Sequence, residues 1–294
     1  MSAFNHPIVL TSQTENGEKL QATFLPEKGM NLISYKKGGL EIIDQSTLPL
    51  FEERFAGLGA LIGPHFHRKK IEVQPKITDE SLFPHIARIR AKGITDPFSH
   101  GIARYAPWQT TATEHTIKAT LSGKDSWNGV PLATLEGQNF KMNFQVNLTP
   151  KGLLLDLDIV SDTDSLVGIH YYLHLPKNRG KVISGIQPFY LVQGVENPLP
   201  PEWAVDPQHV LTFDLENEAD FTLFPYPNAR EGKILLDAET YKLMTTYHCQ
   251  SQENSWQLYH PKGASFVCIE PLSSQNPKYP NLSVSSIRIS LEII

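Results

Sequence analysis

The sequence predicts an all-β protein, one large antiparallel β-sandwich domain spanning residues 1–294. Three observations support this fold class. Apolar and polar residues alternate in several runs, 22 prolines and 19 glycines interrupt the chain at short intervals, and sustained helical periodicity is scarce. The best helix candidate is the segment 48–63, LPLFEERFAGLGALIG. Neither a linker nor a repeat of fixed period divides the chain, so a single domain is expected.

Alternation is clearest in two predicted hairpins. In Phe140–Leu148 the apolar residues share one parity and the polar residues the other, as in a strand with one buried face. Residues 149–152, Thr-Pro-Lys-Gly, predict a turn, and residues 153–160 alternate again. A second hairpin is predicted around Pro261–Gly263. Further strands are predicted for the segments IVLTSQ, TIKATLSG, LVGIHYYLHL, HVLTFDL, KLMTTYHC and VSSIRISLEII.

Composition and charge argue against several function classes. The net charge is −5, the pI is near 6.1 and no long block of lysine or arginine occurs, so nucleic acids and anionic membranes are not expected partners. The first twenty residues lack the basic and apolar regions of a secretory signal, and no apolar run is long enough to span a bilayer. We therefore expect a cytoplasmic protein, either a monomer or a homodimer.

Metal and cofactor motifs are not expected in this sequence. Cys249 and Cys268 lack metal or redox spacing, so reduced core thiols are predicted, with a disulfide as the alternative. A metal site formed by His65, His67 and His85 is a weaker interpretation of these histidines, because no acidic or cysteine residue follows at a spacing typical of metal ligands. No glycine-rich phosphate loop follows a predicted strand. Neither a cofactor nor a metal is therefore predicted.

Three ionisable side chains lie in or beside apolar segments. His170 shares one strand face with Tyr172 and His174, and Glu270 ends the apolar run FVCIE, where a buried carboxylate is costly unless it is paired. His100 precedes Gly101 in DPFSHGIARYAPW, where glycine allows a close approach of other atoms. Each has an ordinary structural alternative: a hydrogen-bonded histidine, a strand-end glutamate in solvent, or a histidine that braces its loop.

Together, five segments resemble the aldose 1-epimerase (mutarotase) superfamily in chain order. HGIARYAPW resembles its His-Gly-aromatic-Ala-Arg segment, GIHYYLHLP its His-x-Tyr-Phe-x-Leu strand, and FVCIEP its strand ending in a catalytic glutamate. GPHFHRKK is similar to its loop ending in a sugar-binding arginine, and LPEKGMNLISYKKGGLEII to its N-terminal pattern. The matches extend from about residue 18 to residue 272. The resemblance implies the galactose mutarotase-like supersandwich.

The resemblance also implies a reaction, the interconversion of the α and β anomers of a small-molecule sugar. Opening the hemiacetal requires a base at the C1 hydroxyl and an acid at the ring oxygen. By resemblance, Glu270 is the base, His170 is the acid, and His100 holds the ring-oxygen region by hydrogen bonding. Arg68 would donate to sugar hydroxyls. Asp220 would bind hydroxyls on a later strand, with Asp214 as the alternative.

Departures from the family pattern leave the sugar's identity open. His67 stands where Asn or Gly usually precedes the loop arginine, Ile102 replaces an aromatic residue, and Leu272 replaces a common Trp. A glycosidase would need a second carboxylate, and a carbohydrate-binding protein of the same fold would bind sugar without turnover. The glucose-6-phosphate 1-epimerase-related branch is a further alternative. Cations that offer a phosphate site are Lys69, Lys70, Arg88, Arg90 and Arg104.

Overall fold

Strands make up most of the regular structure in residues 6–67 and 77–294, the part of the chain that this computed structural model describes. Every strand-like segment identified above forms a strand, and so do the two predicted hairpins. The strands are β1 (Ile8–Gln13), β2 (Lys19–Leu25), β3 (Asn31–Lys37), β4 (Leu40–Glu41), β5 (Gly59–Ile62), β6 (Gln109–Ala112), β7 (Thr116–Ser122), β8 (Ser126–Trp127), β9 (Val130–Pro131), β10 (Phe140–Thr149), β11 (Gly152–Ser165), β12 (Gly168–His174), β13 (Lys181–Gly185), β14 (Phe189–Val192), β15 (Val195–Pro198), β16 (Ala204–Val205), β17 (Val210–Asp214), β18 (Ala219–Leu223), β19 (Glu231–Asp237), β20 (Lys242–Cys249), β21 (Ser255–His260), β22 (Phe266–Leu272) and β23 (Leu282–Ile293).

Two large antiparallel sheets dominate the architecture. One has ten strands in the order β16-β17-β13-β19-β20-β23-β11-β10-β7-β6, and the other has seven in the order β15-β14-β18-β21-β22-β12-β5. A four-stranded sheet, β1-β2-β3-β4, and the β8-β9 pair complete the described strands. The predicted all-β fold class, a large antiparallel β-sandwich, is therefore confirmed.

Alternation along the strands separates a buried apolar face from a polar one. Phe144 pairs with Leu157 across β10 and β11, and both side chains are buried. In the seven-stranded sheet, Tyr171 of β12 pairs with Ile269 of β22, and both belong to the main hydrophobic core. Because successive side chains on a strand point to opposite faces, the neighbours of these two residues face away from that core.

Three short α-helices, α1 (Leu48–Arg54), α2 (Pro84–Arg90) and α3 (Leu132–Glu136), lie among the described residues. The helix candidate 48–63 was therefore only half right. The helix ends at Arg54 because Phe55 adopts a left-handed conformation with φ 60°, and Gly57 follows with φ 88°. The apolar residues after this turn form β5 in the seven-stranded sheet, where all four residues are buried.

Both cysteines are free and buried, as predicted. None of the helices in the described residues has the length and apolar character that a membrane span requires.

Candidate active site

A row of polar side chains crosses the seven-stranded sheet on the face turned away from the core. Thr222 of β18 pairs with Gln257 of β21, and Gln257 pairs with Glu270 of β22. The register that pairs Tyr171 with Ile269 continues this row to His170 of β12. Residues paired directly across neighbouring strands project to the same face, so these side chains lie side by side. All four line one cavity of about 320 Å³.

His170 and Glu270 form a buried pair at this cavity. The Nε2 atom of His170 lies 3.4 Å from Oε1 of Glu270, and the two residues are only 6% and 1% exposed. Burial lowers the pKa of His170, and the positive charge of Arg104 acts in the same direction. Burial raises the pKa of Glu270 well above its ordinary value, opposed by the same arginine. The alternative of a solvent-facing glutamate is therefore excluded.

Both shifts favour the uncharged form of each side chain, a neutral imidazole and a protonated carboxyl, which together hold one proton. Neutral imidazole with a protonated carboxyl and imidazolium with carboxylate contain the same number of protons. They differ by one proton transfer between His170 and Glu270 over the short distance between the two side chains. In one state His170 is the base and Glu270 the acid, and in the other state the roles are exchanged. This suits a reaction that moves two protons in opposite directions.

His100 lies beside this pair. Its ring centroid is 5.2 Å from that of His170, and it stacks on Phe66 at 4.4 Å. The Nδ1 atom is 2.9 Å from the backbone carbonyl oxygen of Phe66, so Nδ1–H donates to that oxygen. Burial lowers the pKa of His100 well below its ordinary value, with Arg104 and His170 adding to the effect. A neutral ring with Nδ1 protonated leaves the lone pair on Nε2 free to accept a hydrogen bond.

Gly101 explains why a glycine follows His100. Its φ is 90°, and a Cβ atom there would lie 2.0 Å from the carbonyl oxygen of Gly63. The amide N–H of Gly63 donates to the carbonyl oxygen of His100 at 2.9 Å, and the amide N–H of Ala103 donates to the carbonyl oxygen of Gly63 at 3.0 Å. The glycine thus permits a tight backbone junction that fixes His100, itself at φ 69°.

Cationic side chains also line the cavity. Arg104 is 3% exposed, and its Nε–H donates to the backbone carbonyl of Phe55 at 2.6 Å. Arg54, at the end of α1, and Lys278, in the loop before β23, line the same cavity. Of the sequence-predicted basic residues, Arg104 is therefore at the site. Lys69 and Lys70 lie outside the described residues.

Arg88 and Arg90 point elsewhere. The Nε–H of Arg88 donates to the carbonyl oxygen of Glu53 at 2.7 Å, and Arg90 pairs with Glu80 at 2.5 Å. Neither arginine lines the cavity.

Asp220, one of the two candidates for a hydroxyl-binding carboxylate, lines the cavity. Its Oδ1 accepts a hydrogen bond from Nε2 of Gln257 at 2.9 Å, and burial raises its pKa. Asp214 lies in the ten-stranded sheet, where it accepts a hydrogen bond from the backbone of Glu216. Its position at the cavity favours Asp220 over Asp214 as the candidate hydroxyl-binding carboxylate. Arg68, the predicted sugar-binding arginine, lies outside the described residues.

The three histidines considered as a metal site have other partners. Nδ1 of His65 lies 2.5 Å from Glu136 and its Nε2 lies 3.6 Å from Asp96. His85 contacts the carbonyl oxygen of Pro97 through Nε2 and packs among aromatic rings. His67 lines the cavity separately. This arrangement gives no support to the metal interpretation of these three residues.

The carboxylates around His65 form a clamp behind the His100 loop. Burial opposes a charge on His65, but Glu136 and Asp96 outweigh it and raise the pKa of His65 to about 9. The second oxygen of Glu136 accepts the amide N–H of Ile102 at 2.9 Å, and Asp96 accepts that of Phe98 at 3.1 Å. The charged imidazole therefore joins two carboxylates that hold the loop on both sides of His100.

This clamp predicts a pH-dependent loss of stability in Glu136→Gln. The free energy of unfolding at pH 6 is expected to fall by roughly 3–5 kcal/mol, the cost of breaking a buried ion pair. Because the pKa of His65 is raised from 6.5 to about 9, its contribution is complete below pH 6.5 and lost as the pH rises through about 9. The difference between variant and parent should shrink over that interval. Urea unfolding at several pH values measures it.

The titratable groups that face His65 are Glu136 from α3, Asp96 from the segment after α2 and the neighbouring His67. Glu114→Gln is the control, because Glu114 is 71% exposed and lies 3.9 Å from the exposed His115. It should change stability little at any of these pH values. If Glu136→Gln is as stable as Glu114→Gln at pH 6, the ion pair between His65 and Glu136 does not stabilise the fold as proposed.

Sequence reasoning missed Gln257 and Thr222 and did not single out Arg54 or Lys278. Gln257 carries a recognisable signal, since it is a polar residue within the strand SWQLYH, whose other members are mostly buried. Thr222 donates to Oε1 of Gln257 at 2.6 Å, which orients the amide. Arg54 and Lys278 are half-buried at the cavity, and no local sequence pattern distinguishes them from the other cations of the chain.

No protein-family model matches this sequence, and no curated protein sequence matches it. Solved structures do. The GalM/aldose epimerase homologue from C. elegans is 13% identical, with 98% of this chain and 100% of that chain covered and a TM-score of 0.65. A galactose mutarotase related enzyme from Lactobacillus acidophilus is 14% identical, with 98% and 97% covered and a TM-score of 0.63.

A galactose mutarotase-like protein from Lactobacillus casei is also 14% identical, with 97% of this chain and 100% of that chain covered and a TM-score of 0.63. At such identities the likeness concerns the fold, and it extends over nearly the whole length of each chain. The chain therefore has the galactose mutarotase-like fold, as the resemblance of its sequence motifs predicted.

Proposed function

We propose that this protein is an aldose 1-epimerase that interconverts the α and β anomers of a hexose. The observation that carries the proposal is the His170–Glu270 pair, buried at the cavity with 3.4 Å between Nε2 and Oε1. Glu270 pairs with a histidine, and the second carboxylate of the cavity, that of Asp220, accepts a hydrogen bond from Gln257. The histidine partner favours proton exchange over the two-carboxylate chemistry of a glycosidase. The fold of the similar structures is consistent with this reaction.

The proposed reaction needs only proton transfers by the chain's own residues. Transfer of the pair's one proton from Glu270 to His170 gives a carboxylate and an imidazolium. The Glu270 carboxylate takes the proton from the C1 hydroxyl, while the His170 imidazolium gives its proton to the ring oxygen. The C1–O5 bond breaks and an aldehyde forms. Rotation about the C1–C2 bond presents the other face, and O5 attacks C1 as the two protons return. No electron leaves the sugar, so the reaction is balanced without a redox partner.

Other residues of the cavity have supporting roles in this proposal. Nε2 of His100 accepts a hydrogen bond from a sugar hydroxyl near the ring oxygen. Asp220 and Gln257, on the neighbouring strands, bind other sugar hydroxyls. Arg68, which lies outside the described residues, is proposed as a further hydroxyl donor. Carboxylate, amide and guanidinium groups form the directional hydrogen bonds that orient a polyhydroxylated ligand.

The test is the rate of anomer exchange of freshly dissolved α-glucose and α-galactose, followed by polarimetry with and without protein. We expect acceleration of at least one sugar in a buffer that contains no added metal or nucleotide. Saturable binding without acceleration across a broad panel of sugars would favour a non-catalytic carbohydrate-binding protein. If the protein neither binds nor accelerates the exchange of any sugar in the panel, the proposal is overturned.

A hexose 6-phosphate is the second candidate substrate. The cavity carries Arg54, Arg104 and Lys278, and such cations bind phosphate oxygens through charge-assisted hydrogen bonds. The exocyclic phosphate of an aldose lies far from C1. It would therefore contact one or more of these cations while the anomeric centre reaches His170 and Glu270.

Glucose 6-phosphate should accordingly bind more tightly than glucose, and added salt should weaken this advantage. Lys278→Ala is expected to reduce the advantage by roughly 2- to 5-fold, the size of one partly solvated ion pair. Arg88→Ala removes a cation outside the cavity and serves as the matched control. Calorimetric titration of both sugars measures the effect. Equal affinities of the two sugars at low ionic strength would remove this candidate.

A further inference from the structure

A thiol lies next to the His170–Glu270 pair. Cys268 precedes Glu270 by two residues on β22, so both side chains project to the same face of the sheet. One ligand atom each of His170, Cys268 and Glu270 lies within 4.8 Å of the other two. The three residues are 6%, 0% and 1% exposed. An imidazole, a thiol and a carboxylate thus converge from two neighbouring strands.

Their spacing is close to that of a tetrahedral metal site. Zinc bonds of about 2.0–2.3 Å to nitrogen, oxygen and sulfur place neighbouring ligand atoms roughly 3.3–3.7 Å apart. Nε2 of His170 and Oε1 of Glu270 already lie 3.4 Å apart. The remaining separations are at most 4.8 Å, so they need to close by only about 1 Å.

Glu270 also has an unused ligand atom. Within the described residues, its Oε2 atom is buried and has no hydrogen-bond partner, and the same holds for Nδ1 of His170. A buried polar atom without a partner is costly, and most such atoms in proteins are satisfied. A cation bound at this point would provide a partner for the Glu270 carboxylate. This observation is independent of the distances among the three side chains.

We propose that His170, Cys268 and Glu270 form an inhibitory site for a borderline-soft divalent cation such as Zn²⁺, with the fourth ligand position open to the cavity. Thiolate and imidazole ligands select such cations over Mg²⁺ or Ca²⁺, which prefer all-oxygen sites. On binding, the Cys268 thiol and the His170–Glu270 pair each release one proton to solvent, and the cation bonds to the thiolate sulfur, the imidazole nitrogen and the carboxylate. Three protein ligands with one open position are a common zinc arrangement.

Inhibition follows from the identity of the ligands. A bound cation takes the lone pairs of His170 and Glu270 that the proposed proton transfers require. The inhibitory effect of the cation rests on the proposed function, whereas the binding of the cation does not. The two can therefore be measured separately.

The binding experiment uses Co²⁺ and Zn²⁺ with the full chain after treatment with a chelator. Co²⁺ should produce the near-ultraviolet absorption of a thiolate–cobalt bond, and added Zn²⁺ should abolish it. Cys268→Ala should lose the band and weaken Zn²⁺ binding by at least about 10- to 100-fold. That loss is typical when a residue that hydrogen-bonds to a metal ligand is changed, and here a ligand itself is removed.

Cys249→Ala is the matched control because Cys249 is also buried but lies in the ten-stranded sheet. It should retain the band. Since the chain has two cysteines, this variant assigns the band to Cys268 even where Cys268→Ala does not fold. Absence of the band in the parent protein, or its loss in folded Cys249→Ala, would overturn the site.

The inhibition experiment follows anomer exchange against Zn²⁺ concentration, with each protein compared with its own rate without metal. The parent and Cys249→Ala should be inhibited over the concentration range in which Zn²⁺ binds. Cys268→Ala should need at least about 10-fold more Zn²⁺. Zn²⁺ bound with unchanged exchange would overturn the inhibitory role. A protein that binds Zn²⁺ but exchanges no sugar would overturn the proposed function and leave the metal site standing.

Discussion

Glu270→Gln and His170→Asn are each expected to lower the rate of anomer exchange by about 10²- to 10⁴-fold, the usual cost of losing a positioned acid or base. Both replacements keep the approximate shape of the side chain and some hydrogen bonding. Neither replacement transfers a proton near neutral pH. Sugar binding should therefore be largely retained, and polarimetry with calorimetry separates the two effects. The double variant should be little slower than the slower single one, because the pair acts as a unit.

His174→Asn is the matched control for these substitutions. His174 lies on the same strand as His170, and its Nδ1 is 3.2 Å from the buried carboxylate of Asp44, but it does not line the cavity. It is thus a second histidine–carboxylate pair outside the proposed site, and its loss should leave the exchange rate near the parental value. Near-parental activity in folded, sugar-binding Glu270→Gln would show that Glu270 is not the base.

The fold was predictable because alternation along single strands is a local property. The run Phe140–Leu148 and its partner 153–160 each show one buried face in the sequence alone, and both form strands of the ten-stranded sheet. The segment 48–63 was misjudged because its apolar residues fit a helix and a strand equally. What ends the helix is the left-handed backbone at Phe55, followed by Gly57, which periodicity does not reveal.

The candidate site was predictable where motifs carry it and not where only the topology does. His100, His170 and Glu270 were found through short segments, and the structure brings them together at one cavity. Gln257 joins Glu270 through cross-strand register, which depends on pairing between β21 and β22 and is invisible in either strand alone. The assignments of chemical roles remain predictions.

Likewise, the clamp formed by Glu136, His65 and Asp96 joins three segments far apart in the chain. Its members look like ordinary polar residues in the sequence. What distinguishes them is burial, which makes each charge depend on the others. Long-range contacts of this kind need the fold before they can be seen.

Gly101→Ala is expected to reduce both stability and activity. At φ 90° an alanine is strained, and its Cβ would lie 2.0 Å from the carbonyl oxygen of Gly63 and 2.8 Å from the backbone nitrogen of Pro64. Backbone atoms cannot rotate away as a side chain does, so the His100 loop must move. Strain and overpacking together should lower the free energy of unfolding by roughly 2–5 kcal/mol. A shift of about 1 Å in His100 can cost about 10²-fold in rate.

Gly263→Ala separates the strain of a positive φ from the effect of a close approach to other backbone atoms. Gly263 has φ 75° and lies in the turn between β21 and β22, and no atom of the described residues comes within 4 Å of a Cβ atom placed there. This substitution carries the conformational strain alone and should cost about 1–2 kcal/mol with an unchanged exchange rate. Urea unfolding and polarimetry on both variants measure the difference. If Gly101→Ala behaves like Gly263→Ala in both measurements, the close approach to Gly63 does not hold His100 in place. A larger loss of stability and rate in Gly101→Ala alone would instead attribute the conformation of the His100 loop to this backbone junction.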